Sequence, residues 1–260
     1  MGVVIMKRIK KILYYSTSFI ILLLIICYLF YTTKENYYLM EYNKVNNIQK
    51  EEIISINQNT NNKRVNVETA SISSNNNYNS ILDNYRDYYN NDEIVGILSI
   101  QNTNFHQILV QATNNTYYLE HLLNRRKNKL GATFVDYRVD LHSSRKINIY
   151  GHNNGSKSNS FNILMNYLDK SYYENHKLIK IEIDDMVNTY EIFSVEIVNN
   201  NKHMQIDFSD IEWYLYVESI IDNSIYETNT KIDDISKMIT LQTCTNNNDN
   251  SYLLIHGRKI

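Results

Sequence analysis

Met238-Ile239-Thr240-Leu241-Gln242-Thr243-Cys244, followed by Thr245-Asn246-Asn247-Asn248-Asp249-Asn250, is a run of apolar and β-branched residues that stops at a polar turn. Its alternation sets Met238, Thr240, Gln242 and Cys244 on one face and Ile239, Leu241 and Thr243 on the other, the period-two signature of a strand. The strand ends on a thiol beside a polar loop, where a substrate can reach it. Lys146 to Tyr150 is a second such run. It leads into Gly151-His152-Asn153-Asn154-Gly155, which leaves an imidazole at a strand end next to a glycine-containing loop.

Working outward, the same reading finds strands at Glu93 to Ile100, Gln107 to Gln111, Thr133 to Asp136, Leu178 to Ile183, Asn188 to Val198 and Ser251 to Ile260, which makes eight. Ile81, Leu82, Tyr85, Tyr88 and Tyr89 recur at helical spacing after Ser80, with Asp83 near the start, and predict a helix that docks on the domain. Phe161 to Asp169 and Asp210 to Asp222 are two further helical patterns. Many short strands with few long helices between them predict a mainly antiparallel sheet closed as a barrel rather than a doubly wound fold. No glycine-rich dinucleotide loop, phosphate loop or internal repeat is present.

The chain has 260 residues, enough for one well-buried domain with appendages. Its 26 basic and 28 acidic residues nearly balance, which gives no electrostatic footprint for nucleic acid. Proline is absent, and glycine occurs only six times, so turns must rely on Asn, Asp and Ser, which tolerate left-handed backbone.

Residues 12–31 carry no formal charge and include Phe19-Ile20-Ile21-Leu22-Leu23-Leu24-Ile25-Ile26. At about 1.5 Å per residue they would extend roughly 30 Å, the thickness of a bilayer's hydrocarbon core. Lys7, Arg8, Lys10 and Lys11 precede them, which predicts a single-pass signal anchor with residues 1–11 in the cytoplasm and all that follows outside. A cleaved secretory signal fits less well, since the apolar run is long and no small-x-small site follows it. Residues 32–79, rich in Asn and Ser, read as a polar stalk with a possible helix near Val45 to Ile56, and 80–260 as the folded domain.

Of the two cysteines, Cys27 falls in the expected membrane stretch and Cys244 is the exported one, so no disulfide joins them in a monomer. A reactive Cys244 would need a partner such as His152, because the departing amine must take a proton from something that titrates near neutrality. The order His before Cys is opposite to that of papain-like proteases, and with seven His in the chain the pairing alone is a weak signal.

Thr240-Leu241-Gln242-Thr243-Cys244 resembles the TLxTC signature that ends the seventh barrel strand of sortases. Asn91-Asp92-Glu93-Ile94-Val95-Gly96, Asn102-Thr103-Asn104, Tyr117-Tyr118-Leu119, Gly131-Ala132-Thr133-Phe134-Val135-Asp136-Tyr137-Arg138, Ile149-Tyr150-Gly151-His152-Asn153 and Tyr167-Leu168-Asp169-Lys170 resemble class B segments in that family's order. The resemblance spans roughly 80–260. It implies an eight-stranded sortase-type β-barrel with an N-terminal docking helix and a helix, Asp210 to Asp222, between strands 6 and 7. It implies a cysteine transpeptidase (a thiol peptidase) without cofactor, acting on exported proteins that carry a C-terminal sorting signal resembling Asn-Pro-x-Thr-x. Cys244 would be the nucleophile that forms the acyl-thioester at the Thr, and His152 the general acid and base. A peptidoglycan precursor or cell-wall peptide would supply the accepting amine.

The family's third residue is an Arg at the start of the last strand. This chain has Tyr252 there, and Arg258 lies six residues farther, about 20 Å along an extended strand. Three alternatives stay open: the Tyr252 hydroxyl takes over, Arg138 or Arg145 reaches in, or the domain binds sorting signals and cell-wall peptides with impaired catalysis. His256 reads as structural, the 246–250 loop as an Asn-rich turn rather than a calcium site, and the pairs Tyr117-Tyr118 and Tyr172-Tyr173 as packing. No His, Cys and carboxylate group falls at metal-ligand spacing.

Overall fold

The eight period-two runs form eight strands in the computed structural model, which describes residues 6, 14–30, 32–33, 80–153, 161–184, 186–199, 204–245 and 251–260. They are β1 (Ile94–Ile100), β2 (His106–Val110), β3 (Phe134–Val135), β4 (Lys146–Tyr150), β5 (Leu178–Ile183), β6 (Met186–Val198), β7 (Met238–Cys244) and β8 (Tyr252–Lys259). The order around the barrel is β1-β2-β3-β4-β7-β8-β6-β5, closing on β1. Most pairs are antiparallel, as expected, but β2 with β3 and β4 with β7 run parallel.

Leu98, Ile100, Leu109, Ile147, Ile149, Ile181, Val195, Leu241, Leu253 and Ile255, each at most 2% exposed, form the interior core. Inward and outward residues alternate along β4, β7 and β8, whereas β6 slips register between Ile192 and Ser194. In β7 this turns Ile239 and Leu241 to the core and Thr240, Gln242 and Cys244 to the outer face.

The chain divides into two units, Met1–Asn47 and Ile48–Ile260. In the first, α1 spans residues 14–30, and Phe19 to Ile26 are 46–64% exposed along it. Among the described residues no helix is long and apolar enough to cross a membrane. Of the expected span 12–31, α1 covers residues 14–30, so the full span is not supported among the described residues. Residues 12, 13 and 31 lie outside the described set, as do the stalk from 34 to 79 and the helix expected near Val45 to Ile56.

In the second unit, α2 (Ile81–Tyr89) starts on a capping box in which Ser80 and Asp83 bond reciprocally, and it buries Leu82, Tyr85 and Tyr89. A 3₁₀ helix covers Phe161–Leu168, and α3 (Lys170–Asn175) follows it, capped by Asp169. The helix between strands 6 and 7, α4 (Asp210–Asp222), begins with a Ser209–Glu212 capping box. Its Trp213, Val217 and Ile220 pack on Phe193, Ile235 and Met238 outside the barrel, worth about 1.5–3 kcal/mol for each large apolar side chain buried. The Trp213 indole N–H donates to the Ile235 carbonyl at 2.9 Å.

Beneath α4 lies a polar cluster. Lys146 is fully buried; its ammonium donates to the Tyr216 hydroxyl (2.6 Å) and the Gln205 carbonyl (3.2 Å). Burial drives its pKa down to about 7, while the charges of Glu196 and Asp136 oppose the drop. His256 is also buried, between Thr240 (3.0 Å) and Glu196 (3.0 Å), which gives it the structural place expected of it.

Candidate active site

His152 and Cys244 meet through strand register. β4 and β7 run side by side in parallel, with Ile149 level with Leu241 and Tyr150 level with Gln242. Two residues further on, the two strand ends carry His152 and Cys244. The parallel pairing thus directs the segment that carries the imidazole and the strand end that carries the thiol to the same end of the barrel, side by side. The Gly151 amide donates to the Gln242 carbonyl (3.2 Å), and the Thr243 hydroxyl donates to the Gly151 carbonyl (2.8 Å), so the pairing persists past the last residue of β4.

Cys244 opens on solvent, yet burial pushes its thiol up from the ordinary value. Near neutral pH the sulfur keeps its proton, and a nucleophile forms only when a base takes it. The His152 Nε2 lies 2.8 Å from the Leu119 carbonyl. A carbonyl only accepts, so Nε2 bears hydrogen, and Nδ1 is the nitrogen left to exchange a proton. Leu119 closes the 3₁₀ turn Tyr117–Leu119. Gly131, at φ +63°, lies against that turn: a Cβ there would stand 2.9 Å from the Leu119 carbonyl and 2.9 Å from the His152 Cδ2. Glycine is required by both the left-handed backbone and the close approach.

On the far side of β7, Cys244 pairs with Tyr252. The Thr245 amide donates to Ser251 and the Lys259 amide to Lys237, which makes Cys244·Tyr252 a non-hydrogen-bonded antiparallel pair. In such pairs facing side chains come closest, with Cα atoms about 4.5 Å apart. His152, Cys244 and Tyr252 therefore form one row across three strand ends.

The arginines that sequence reasoning offered as substitutes are committed elsewhere. Arg138 grips Asp136 through Nε (2.9 Å) and a terminal nitrogen (2.7 Å) and donates to the Met204 carbonyl. Arg145 precedes β4, at the barrel end away from Cys244; it donates to Asp210 (2.8 Å) and stacks over Trp213. Arg258 pairs with Met238 at that same end and holds Glu191 at 2.6 Å. Of the three alternatives, a reach-in by Arg138 or Arg145 is thus the one the geometry removes.

Sequence reasoning passed over Asn162 and gave Asn153 no role. The Asn153 side chain donates to the Cys244 carbonyl at 3.0 Å, and the Asn162 side chain donates to the Asn153 carbonyl oxygen at 2.8 Å. The 154–160 and 246–250 loops, including the Asn-rich turn, lie outside the described residues. Among the described residues no group of three or more His, Cys, Asp or Glu is placed to hold a metal ion.

A model of the sortase domain family matches residues 98–259. Sortase B of Listeria monocytogenes is 29% identical over 175 residues, covering 65% of this chain and 71% of the relative. Sortase B of Staphylococcus aureus is 26% identical over 159 residues, 59% of this chain and 64% of the relative. The solved Bacillus anthracis sortase B in complex with AAEK1 is 27% identical at a TM-score of 0.61, covering 68% of this chain and 84% of that one. A Staphylococcus aureus sortase B–substrate complex shares the fold at a TM-score of 0.62 and 22% identity, covering 69% and 84%.

Proposed function

This chain belongs to the sortase family, as a class B member, and we propose that it works as a membrane-attached cysteine transpeptidase with Cys244 as nucleophile and His152 as general acid and base. One observation supports this assignment of roles: the parallel β4–β7 register, which leads the segments that carry His152 and Cys244 to the same end of the barrel.

The Cys244 thiol passes its proton to His152 Nδ1, and the sulfur attacks the carbonyl of the Thr in a bound sorting signal. The tetrahedral intermediate collapses by breaking the C–N bond, with the imidazolium proton going to the departing amine. An acyl-thioester on Cys244 remains. The incoming amine of a cell-wall peptide attacks it, gives its proton to His152, and expels the thiolate. Tyr252, beside Cys244, donates its hydroxyl to the oxyanion of each tetrahedral intermediate, in the place where the family has Arg. The class B membership supports a sorting-signal peptide as the ligand here.

Membrane attachment through residues 12–31 is supported by the basic residues ahead of that span and by the solvent-facing apolar side chains of α1. It places the domain on the outer surface near both substrates, which raises their effective concentration. Sedimentation with membranes that resists alkaline carbonate checks the attachment; release by carbonate argues against it.

The test of the reaction is a quenched Asn-Pro-x-Thr-x peptide offered with a cell-wall amine. Slow cleavage with a thioester trapped on Cys244 is expected, and Cys244→Ala and His152→Ala should each abolish it. Cleavage that survives Cys244→Ala sinks the mechanism. A second reading rests on Tyr252: a guanidinium-free site that binds the signal without turning it over. Binding of the peptide with neither cleavage nor a trapped thioester would select it.

A further inference from the structure

Cys244 is the last residue of β7, and strand ends fray unless something holds them. On its β8 side it belongs to a non-hydrogen-bonded pair, so its main-chain groups face β4, which has already ended at Tyr150. After the Gly151 amide bonds the Gln242 carbonyl, the next β7 carbonyl that points toward β4 belongs to Cys244. The side-chain amide of Asn153 takes that place at 3.0 Å. A carbonyl only accepts, so Asn153 must turn its NH₂ to Cys244, which leaves Oδ1 to receive the amide of Asn162 at 2.8 Å.

Asn162 is held in turn. Its neighbour Phe161 is fully buried, with its ring against Gly151, 2.6 Å from where a Cβ would stand. The start of the 3₁₀ helix is thereby pinned to the residue just before His152.

We propose that Asn153 is a positioning residue of the reaction and that Asn162 orients it, so that the chain Asn162–Asn153–Cys244 sets the nucleophile level with His152. The proposal rests on the transpeptidase reading above and adds two residues to it. The peptide that follows Cys244 is gripped at both ends, its carbonyl by Asn153 and its Thr245 N–H by the Ser251 carbonyl. The main-chain position from which the thiol projects is therefore held by these two bonds. A displacement of about 1 Å is enough to cost about 100-fold in rate.

The experiment uses the full chain with Cys27→Ser, so that Cys244 is the single thiol. We expect Asn153→Ala to lower kcat about 30-fold with KM within about twofold, since positioning acts on the chemical step. Asn162→Ala, which removes no contact to Cys244, should lower kcat about fivefold. The double variant should be no slower than Asn153→Ala alone, because both act through one bond. Full activity of Asn162→Ala, or losses that multiply in the double variant, would overturn the proposal.

Iodoacetamide alkylation of Cys244 against pH supplies a readout that needs no peptide. Its midpoint should move by about half a unit in either single variant and no further in the double. If the parent cleaves no sorting peptide but the midpoints shift together, the positioning role stands and the transpeptidase reading falls. Unmoved midpoints refute the positioning role whatever the peptide assay gives.

Discussion

Replacing Gly131 by Ala tests whether the Leu119 carbonyl holds the imidazole. The new Cβ would stand 2.5 Å from the Tyr118 carbonyl, 2.9 Å from that of Leu119 and 2.9 Å from His152 Cδ2. To reach ordinary contact, the Tyr118 carbonyl must retreat by about 0.9 Å and that of Leu119 by about 0.5 Å. Both are main-chain atoms, so the whole turn moves. The left-handed φ of +63° adds about 1–2 kcal/mol for a residue with a Cβ, which in a domain of this size lowers Tm by about 3–6 °C. Activity should fall further than stability. A shift of about half an ångström in the acceptor stretches the 2.8 Å His152–Leu119 bond and turns Nδ1 away from the thiol, and a loss of about 10- to 100-fold in kcat follows. Peptide cleavage measured against pH beside thermal unfolding separates the two effects. Parent-like turnover and pH profile in a folded Gly131→Ala protein would refute the idea that this carbonyl orients His152.

Tyr252→Phe should lower kcat about 100-fold by removing the oxyanion donor, whereas Tyr252→Arg should match or exceed the parent; equal rates in Tyr252→Phe and parent would clear the hydroxyl of a role. Lys146→Met should change how stability depends on pH. Burial holds the folded pKa near 7, below the unfolded value of about 10.4, so between these values the unfolded chain binds a proton that the folded chain lacks, and stability rises with pH. Urea unfolding at pH 7 and pH 9 should show that rise in the parent and a flatter response in Lys146→Met; the same slope in both would place the titration elsewhere. Trp213→Ala should destabilise the fold by about 3–5 kcal/mol, since it empties the pocket between α4 and the barrel; a Tm shift under 2 °C would show that the α4 packing contributes little.

The barrel was largely legible because its strands obey one rule. β4, β5 and β7 begin and end where alternation and turn residues place them, and α4 occupies the whole expected range. Parallel pairing of β4 with β7 was not legible, since strand direction within a sheet follows from chain connections rather than from the residues of either strand. The short α3 was missed, because six residues with two tyrosines carry too little helical period to stand out. His152 and Cys244 were read from strand ends and a family resemblance, and their side-by-side placement came only with the register. Asn153 and Asn162 gave no usable signal, as Asn is common throughout this chain. The burial of Lys146 was not legible either, because it depends on Tyr216 and Gln205, about seventy and sixty residues away in the chain.

Thr243 and Gly151, whose side-chain bond ties the two strand ends, stand 92 residues apart in the chain. A chain that has made only its local turns therefore carries a thiol with no base beside it. Chemical competence arrives with barrel closure, in the same event that docks β7 between β4 and β8. Until then the polypeptide is chemically inert. It becomes a catalyst only when the last strands come home, so folding itself serves as the activation step and no separate pro-segment is required for that purpose.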